Sequence, residues 1–263
     1  MAFTILVACL SLSADAPRPG NAPGDGQSPA PSSFANTRET RTATPPGLLT
    51  VEMRGDIFMA RKMYREAVDM YKQMPSDSPV TWNKVGIAYH QMLDLDAAKK
   101  YYEKSVKMRP NYPEAVNNLG TIHYAKKSYR RAVSYYKKAL KLNPQSASIL
   151  SNLGTAYFAR KQYDLAFRSY QEALAIDPEV FEHRGAAGVL LQERTVEERA
   201  KFHFYLAKTY AKAGQNERAM LYLRKALEEG FKDRDKLKEE PEFAGLQQLP
   251  EFQELLAYQP KVL

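Results

Sequence analysis

Between about residues 48 and 231 the apolar positions return three, four and seven apart, the spacing that lines one face of a helix. The runs come in pairs. Five times a Gly or Ala is followed twelve positions later by an Ala: Gly55/Ala67, Gly86/Ala98, Gly120/Ala132, Gly154/Ala166 and Ala207/Ala219, at successive spacings of 31, 34, 34 and 53. The same residues recur around each pair. The second unit reads Trp82, Val85-Gly86, Tyr89, Ala98, Tyr102 and Pro110. The third has Val116, Leu119-Gly120, His123, Ala132, Tyr136 and Pro144, and the fourth Leu150, Leu153-Gly154, Tyr157, Ala166, Tyr170 and Pro178. The first is Val51, Gly55, Phe58, Ala67, Tyr71 and Pro79; the fifth is His203, Leu206-Ala207, Tyr210, Ala219 and Leu223, without the proline. Small residues let a neighbouring helix approach, and a proline at the end of each unit stops its second helix. A lone helix pair cannot bury its apolar face, whereas stacked pairs share a continuous core.

These residues resemble the tetratricopeptide repeat family, whose unit is W-x2-L-G-x2-Y, then A-x3-F, then P, every ~34 residues. The resemblance covers about residues 48–231. It implies an all-α, right-handed superhelical solenoid of about five helix–turn–helix repeats. Arg54, in place of a large apolar residue, suits an N-terminal repeat with one side open to water. Between the fourth and fifth units 19 extra residues intervene, at about 181–199. Gly185 and Gly188 argue against one rigid helix there, and Val189-Leu190-Leu191 needs cover. The expectation is a structured insertion that lies over the C-terminal end of the groove, against Phe158, Phe204 and Tyr205. Thr195 to Glu198 form a capping-box pattern, so the next helix should start at Val196. Residues 232–263 carry Leu237, Phe243, Leu246, Leu249, Phe252 and Leu255 in short amphipathic stretches broken by Pro241 and Pro250, and are predicted to form a C-terminal helical cap.

The N-terminus is built differently. Phe3 to Leu12 is uncharged, the length of a signal-peptide core and too short for a membrane span. One reading is a cleaved segment of residues 1–16, ending at Ala14-Asp15-Ala16, although no Lys or Arg precedes the apolar run and Pro17 follows the bond. A second is lipidation of Cys9, because Leu6-Val7-Ala8-Cys9 resembles a bacterial lipobox. A third is a chance apolar start. Either export reading places the protein in a periplasm or envelope; without export it is cytoplasmic. Residues 17–47 are rich in Pro and Gly and hold a single aromatic, Phe34, so they are expected to be a disordered linker.

Composition adds limits. With one Cys and four His in 263 residues, neither a disulfide framework nor a cysteine-based zinc site can be assembled. No H-E-x-x-H, phosphate-loop or G-x-S-x-G signature occurs, so no catalytic residue, cofactor or metal is assigned. His123 and His203 stand at repeat core positions and are expected to be packed.

Two surfaces remain. The resemblance implies that first helices line a concave groove for a protein or peptide partner. The residues that should face it are Asn83, Lys84, Ile87 and His90, then Asn117, Asn118, Thr121 and Tyr124, then Ser151, Asn152, Thr155 and Phe158, and finally Lys208. Asn118 and Asn152 recur one repeat apart, and resemblance to repeat proteins with an asparagine ladder implies that they hold a ligand main chain in register; Lys84 and Tyr205 break the ladder at the flanking equivalents, and the alternative is that N-L-G is simply repeat consensus. The other surface is basic. Between Lys99 and Asn143 there are twelve Lys or Arg against Glu103 and Glu114, a larger excess than the net charge of +8 of the whole chain. Lys100, Lys104, Lys107, Arg130, Arg131, Lys137, Lys138 and Lys141 belong to the outer sides of second helices. They read as a solvated convex face or as one that attracts an acidic membrane surface or acidic protein. Nucleic acid is disfavoured, because no recognition motif accompanies the charge.

Overall fold

The structure is a computed structural model, which describes residues 49–182 and 195–257. Among these residues the elements are helical throughout. Five antiparallel pairs follow one another: α1 (Val51–Ala60) with α2 (Tyr64–Tyr71), α3 (Pro79–Gln91) with α4 (Leu95–Met108), α5 (Pro113–Ala125) with α6 (Tyr129–Leu142), α7 (Ala147–Ala159) with α8 (Tyr163–Ile176), and α9 (Val196–Lys212) with α10 (Asn216–Glu228). Each first helix packs on its own second helix, and each second helix on the first helix of the next pair. The result is the all-α, right-handed superhelical solenoid that the repeat implies. A C-terminal helical cap follows, formed by α11 (Asp235–Glu239), a 3-10 turn (Pro241–Phe243) and α12 (Pro250–Ala257).

Local chemistry sets the helix starts. The Thr195 hydroxyl accepts from the Glu198 amide at 3.2 Å while the Glu198 carboxylate accepts from the Thr195 amide at 3.4 Å, so α9 opens on the capping box. Pro113 opens α5, where a missing N–H costs nothing. The structure corrects the reading of Pro79 as the end of the first unit. It opens α3 instead, and α2 already stops at Tyr71, eight residues long where α4, α6 and α8 have fourteen. That truncation accounts for the short first spacing.

The seam inside each pair is a ring laid on a glycine. A Cβ added to Gly55, Gly86, Gly120 or Gly154 would stand 2.4–2.6 Å from the ring of Tyr71, Tyr102, Tyr136 or Tyr170, too close for any carbon contact. These tyrosines are at most 2% exposed. The fifth pair changes both partners together, to Ala207 and Leu223, each fully buried. A methyl on the first helix thus goes with loss of the ring on the second.

The buried apolar residues fall into three clusters. A small one joins the first and second repeats around Met59, Ala67, Tyr71 and Val85. A second, around Ala98, Tyr102, Leu119 and Ile122, joins the second and third. The largest runs from Val116 through the remaining repeats into the cap at Leu255.

The C-terminal end departs from expectation. Phe181 is buried, edge-on to Tyr170 at 5.4 Å and to Tyr210 at 6.0 Å, and so lies between the fourth and fifth repeats rather than on the groove wall. Phe204, proposed as a host for the insertion, is already covered by the C-terminal segment, with Phe231 stacked at 4.4 Å and Phe243 edge-on at 5.6 Å. Phe158 packs on Phe202 at 5.5 Å. Residues 195–199, counted with the insertion, instead cap and open α9, while insertion residues 183–194, Val189-Leu190-Leu191 and His183 among them, lie outside the described residues, as do Cys9, the segment 1–16, the linker 17–47 and the last six residues of the cap.

Gly120→Ala should destabilise the fold by about 1–3 kcal/mol, despite the better helix propensity of Ala, because Tyr136 cannot retreat. Tyr136→Leu should cost stability alone yet relieve the Gly120→Ala defect. Thermal or urea unfolding of both single variants and the double variant measures this coupling. Simple additivity would show that the ring–glycine seam is not the constraint.

Candidate partner-binding surfaces

The first helices α3, α5 and α7 lie side by side on the concave face, close enough for their polar side chains to meet. Asn118 Nδ2 donates to Asn83 Oδ1 at 3.0 Å, Asn117 Nδ2 to Asn118 Oδ1 at 3.4 Å, and Asn152 Nδ2 to Asn117 Oδ1 at 3.1 Å. The four amides form one ladder across three repeats; both interrepeat bonds donate toward the N-terminal end, and Asn117 joins them by donating to Asn118 within α5. The ladder therefore ends on Asn152 Oδ1, which accepts no hydrogen bond among the described residues. Asn117, Asn118 and Asn152 are all half-buried.

Several residues read as an open stripe are in fact buried: Asn83, Lys84, His90, Ser151, Thr155 and Phe158. Lys84 Nζ reaches back to the first repeat, 2.6 Å from Asp56 and 3.1 Å from Glu52. His90 stands edge-on to Tyr102, and burial lowers its pKa to about 4, so the ring is neutral near pH 7. Thr155 Oγ1 donates to the Ser151 carbonyl at 2.9 Å and accepts from Tyr170 Oη at 3.3 Å. Thr121 makes the same pair of bonds, to the Asn117 carbonyl and from Tyr136. Tyr71 donates to Asp56 at 2.6 Å in the first repeat. In the second repeat the equivalent position is Ile87, half-buried and apolar, and the fully buried Tyr102 Oη has no partner among the described residues. Lys208 is bound by the cap, 2.5 Å from Glu240 and 3.4 Å from Glu242. The groove thus closes at the fifth repeat. Its accessible part is the half-buried strip of Asn117, Asn118, Thr121, Tyr124 and Asn152.

The other described histidines, His123 and His203, are packed. His123 stacks on Tyr135 at 5.0 Å. Burial first, then Lys99, Arg131 and Lys126, hold its pKa below the ordinary value. Burial likewise depresses His203, against the pull of Glu229 with an oxygen 3.0 Å from Nδ1. Among the described residues no three His, Cys, Asp or Glu converge as a metal ion would require.

On the opposite side, Lys100, Lys104 and Lys107 of α4 and Arg130, Arg131, Lys137, Lys138 and Lys141 of α6 are all exposed. None is in an ion pair among the described residues. Glu103 is taken by Lys99 at 3.4 Å, and Asp96 by Lys126. Lys104 lies 3.2 Å above the Trp82 ring, and Lys137 5.7 Å from that of Tyr157.

Because the amides bond repeat to repeat, Asn118→Ala with Asn152→Ala should lower stability. The expected loss is about 1 kcal/mol for each interrepeat bond, read from urea denaturation. A midpoint equal to the parent's would mean that the ladder carries no net stability.

Family descriptions of the tetratricopeptide repeat match residues 77–145 and 115–179, and another of the same description matches 200–229; together they span just over half of the chain. No curated protein matches the sequence. Among solved structures the fold is similar to the crystal structure of MamA, which is 21% identical with a TM-score of 0.46, covering 70% of this chain and 96% of that one. It is also similar to MamA MSR-1 C2, 24% identical, TM-score 0.44, covering 68% and 94%. A third is MamA 41-end from Desulfovibrio magneticus RS-1, 21% identical, TM-score 0.46, covering 66% and 89%. With five stacked helix pairs, a glycine–tyrosine seam in four of them and repeat matches over more than half its length, the chain belongs to the tetratricopeptide repeat family.

Proposed function

We propose that the protein holds an extended partner segment along its concave strip. Tetratricopeptide arrays are protein–protein interaction scaffolds, and this chain is one. The finer reading rests on the amide ladder. Each asparagine uses only part of its hydrogen-bonding capacity on its neighbours, and an amide has two donors and two acceptor sites. Unused N–H groups and the terminal Asn152 Oδ1 line the half-buried strip beside Tyr124. A peptide backbone supplies the complementary alternation of donor and acceptor. The shared direction of the two interrepeat bonds favours one orientation of that backbone, and the cap on Lys208 closes the strip at its fifth-repeat end.

A photo-reactive aromatic residue placed at Tyr124 in the native host should give discrete adducts, whereas the same residue at the exposed convex Ser134 should not. Asn152→Lys combined with the position-124 probe should reduce those adducts while the protein stays folded. Equal adduct patterns at 124 and 134 would remove the groove from the account.

The envelope location is also a proposal, and it rests only on Phe3–Leu12 and the Leu6–Cys9 pattern. Intact mass of the protein from its host should then lack the first 8–16 residues; a full-length mass would overturn it.

A further inference from the structure

We infer that the outer face of α4 and α6 docks on an anionic lipid bilayer. Three observations point there. The first is a broken local rule. The second helices α2, α4, α8 and α10 each carry an acid in the first turn, Glu66, Asp96, Asp164 and Glu217. That charge suits the positive end of the helix dipole. Helix α6 has no acid anywhere in its fourteen residues and carries Arg130 and Arg131 in its first turn, after Tyr129. Such a start opposes the dipole, and departures of this kind are expected where a surface serves something other than stability.

The second observation is what shares the face. Met108 follows Lys104 by four residues on α4, and Leu142 follows Lys138 by four on α6, so each apolar side chain flanks a lysine on the same helix side. They are 38% and 37% exposed. Lysines with adjoining aliphatic tips fit the interface of a membrane, where the ammonium meets headgroup phosphate and the aliphatic group enters the acyl boundary. The face ends at α6, since the outer side of α8 carries Asp164 and Glu172.

The third observation separates lipid from nucleic acid. A protein that binds single-stranded nucleic acid without a motif stacks bases on free aromatic rings. The rings nearest this face are committed: Tyr101 stacks on Trp82 at 5.7 Å and on Tyr89 at 5.3 Å, and Tyr135 on His123 at 5.0 Å. What the face offers is positive charge and aliphatic carbon.

The test is co-sedimentation of the full chain with vesicles. At about 0.1 M salt it should pellet with phosphatidylcholine vesicles that contain about one third phosphatidylserine and stay in solution with pure phosphatidylcholine. Lys107→Glu, Lys138→Glu and Lys141→Glu together should weaken binding on the order of a hundredfold with the melting temperature unchanged. The milder Gln versions should weaken it less, and keep the question open to measurement if the reversed chain folds poorly. Met108→Ser with Leu142→Ser should weaken binding several-fold without altering its salt dependence, which a purely electrostatic contact would not do. Arg130→Glu should bind less and melt higher. Equal pelleting on both vesicle types overturns the inference. So does binding unaffected by the lysine variants, or a stronger hold by this face on a DNA duplex than on the vesicles.

Discussion

The array depends on one contact repeated four times, a tyrosine ring pressed on a glycine backbone. Without a Cβ on the first helix, the ring of the second lies flat against it, and the two axes can close to a distance that alanine forbids. This contact fixes the spacing within a pair. It also determines where the ring's hydroxyl emerges, beneath the concave face. There Thr121 and Thr155 receive Tyr136 and Tyr170, and Asp56 receives Tyr71. Where the receiving residue is Ile87, the Tyr102 hydroxyl is buried and unpaired among the described residues, a local cost of the kind that buried polar groups impose.

Curvature then divides the polar residues into two populations. On the inner side successive first helices approach, so amides from adjacent repeats bond to each other, and Lys84 and Lys208 each find two carboxylates. On the outer side the second helices spread apart. Lysines one repeat from their equivalents stay separate and solvated, and like charges accumulate with little mutual repulsion through water. The same bend that satisfies the inner face leaves the outer one charged.

Much of this was legible in the chain. The Gly–Ala register, the start of α9 at Val196 and the packed His123 and His203 follow from spacing and capping chemistry alone, because those signals are local or strictly periodic. The state of the concave side was not legible. A repeat pattern says that Asn118 and Lys84 lie on the inner side of their helices. It does not say that Asn83, 35 residues away, or Asp56, 28 residues away, comes within bonding distance. Those contacts depend on how tightly the stack bends, a property of all the seams together. The truncated α2 misled for another reason: Pro79 sits where a unit-ending proline belongs only if the first unit has full length.

The division of the buried core has a mechanical consequence. The first repeat is held by a cluster of few residues and by its two shortest repeat helices, whereas the last three repeats and the cap share one continuous apolar body. In a one-dimensional array each repeat borrows its stability from its neighbours, so an end repeat with one thin seam opens first. The molecule is therefore graded along its axis, pliant where α1 and α2 begin and stiff where the cap is seated.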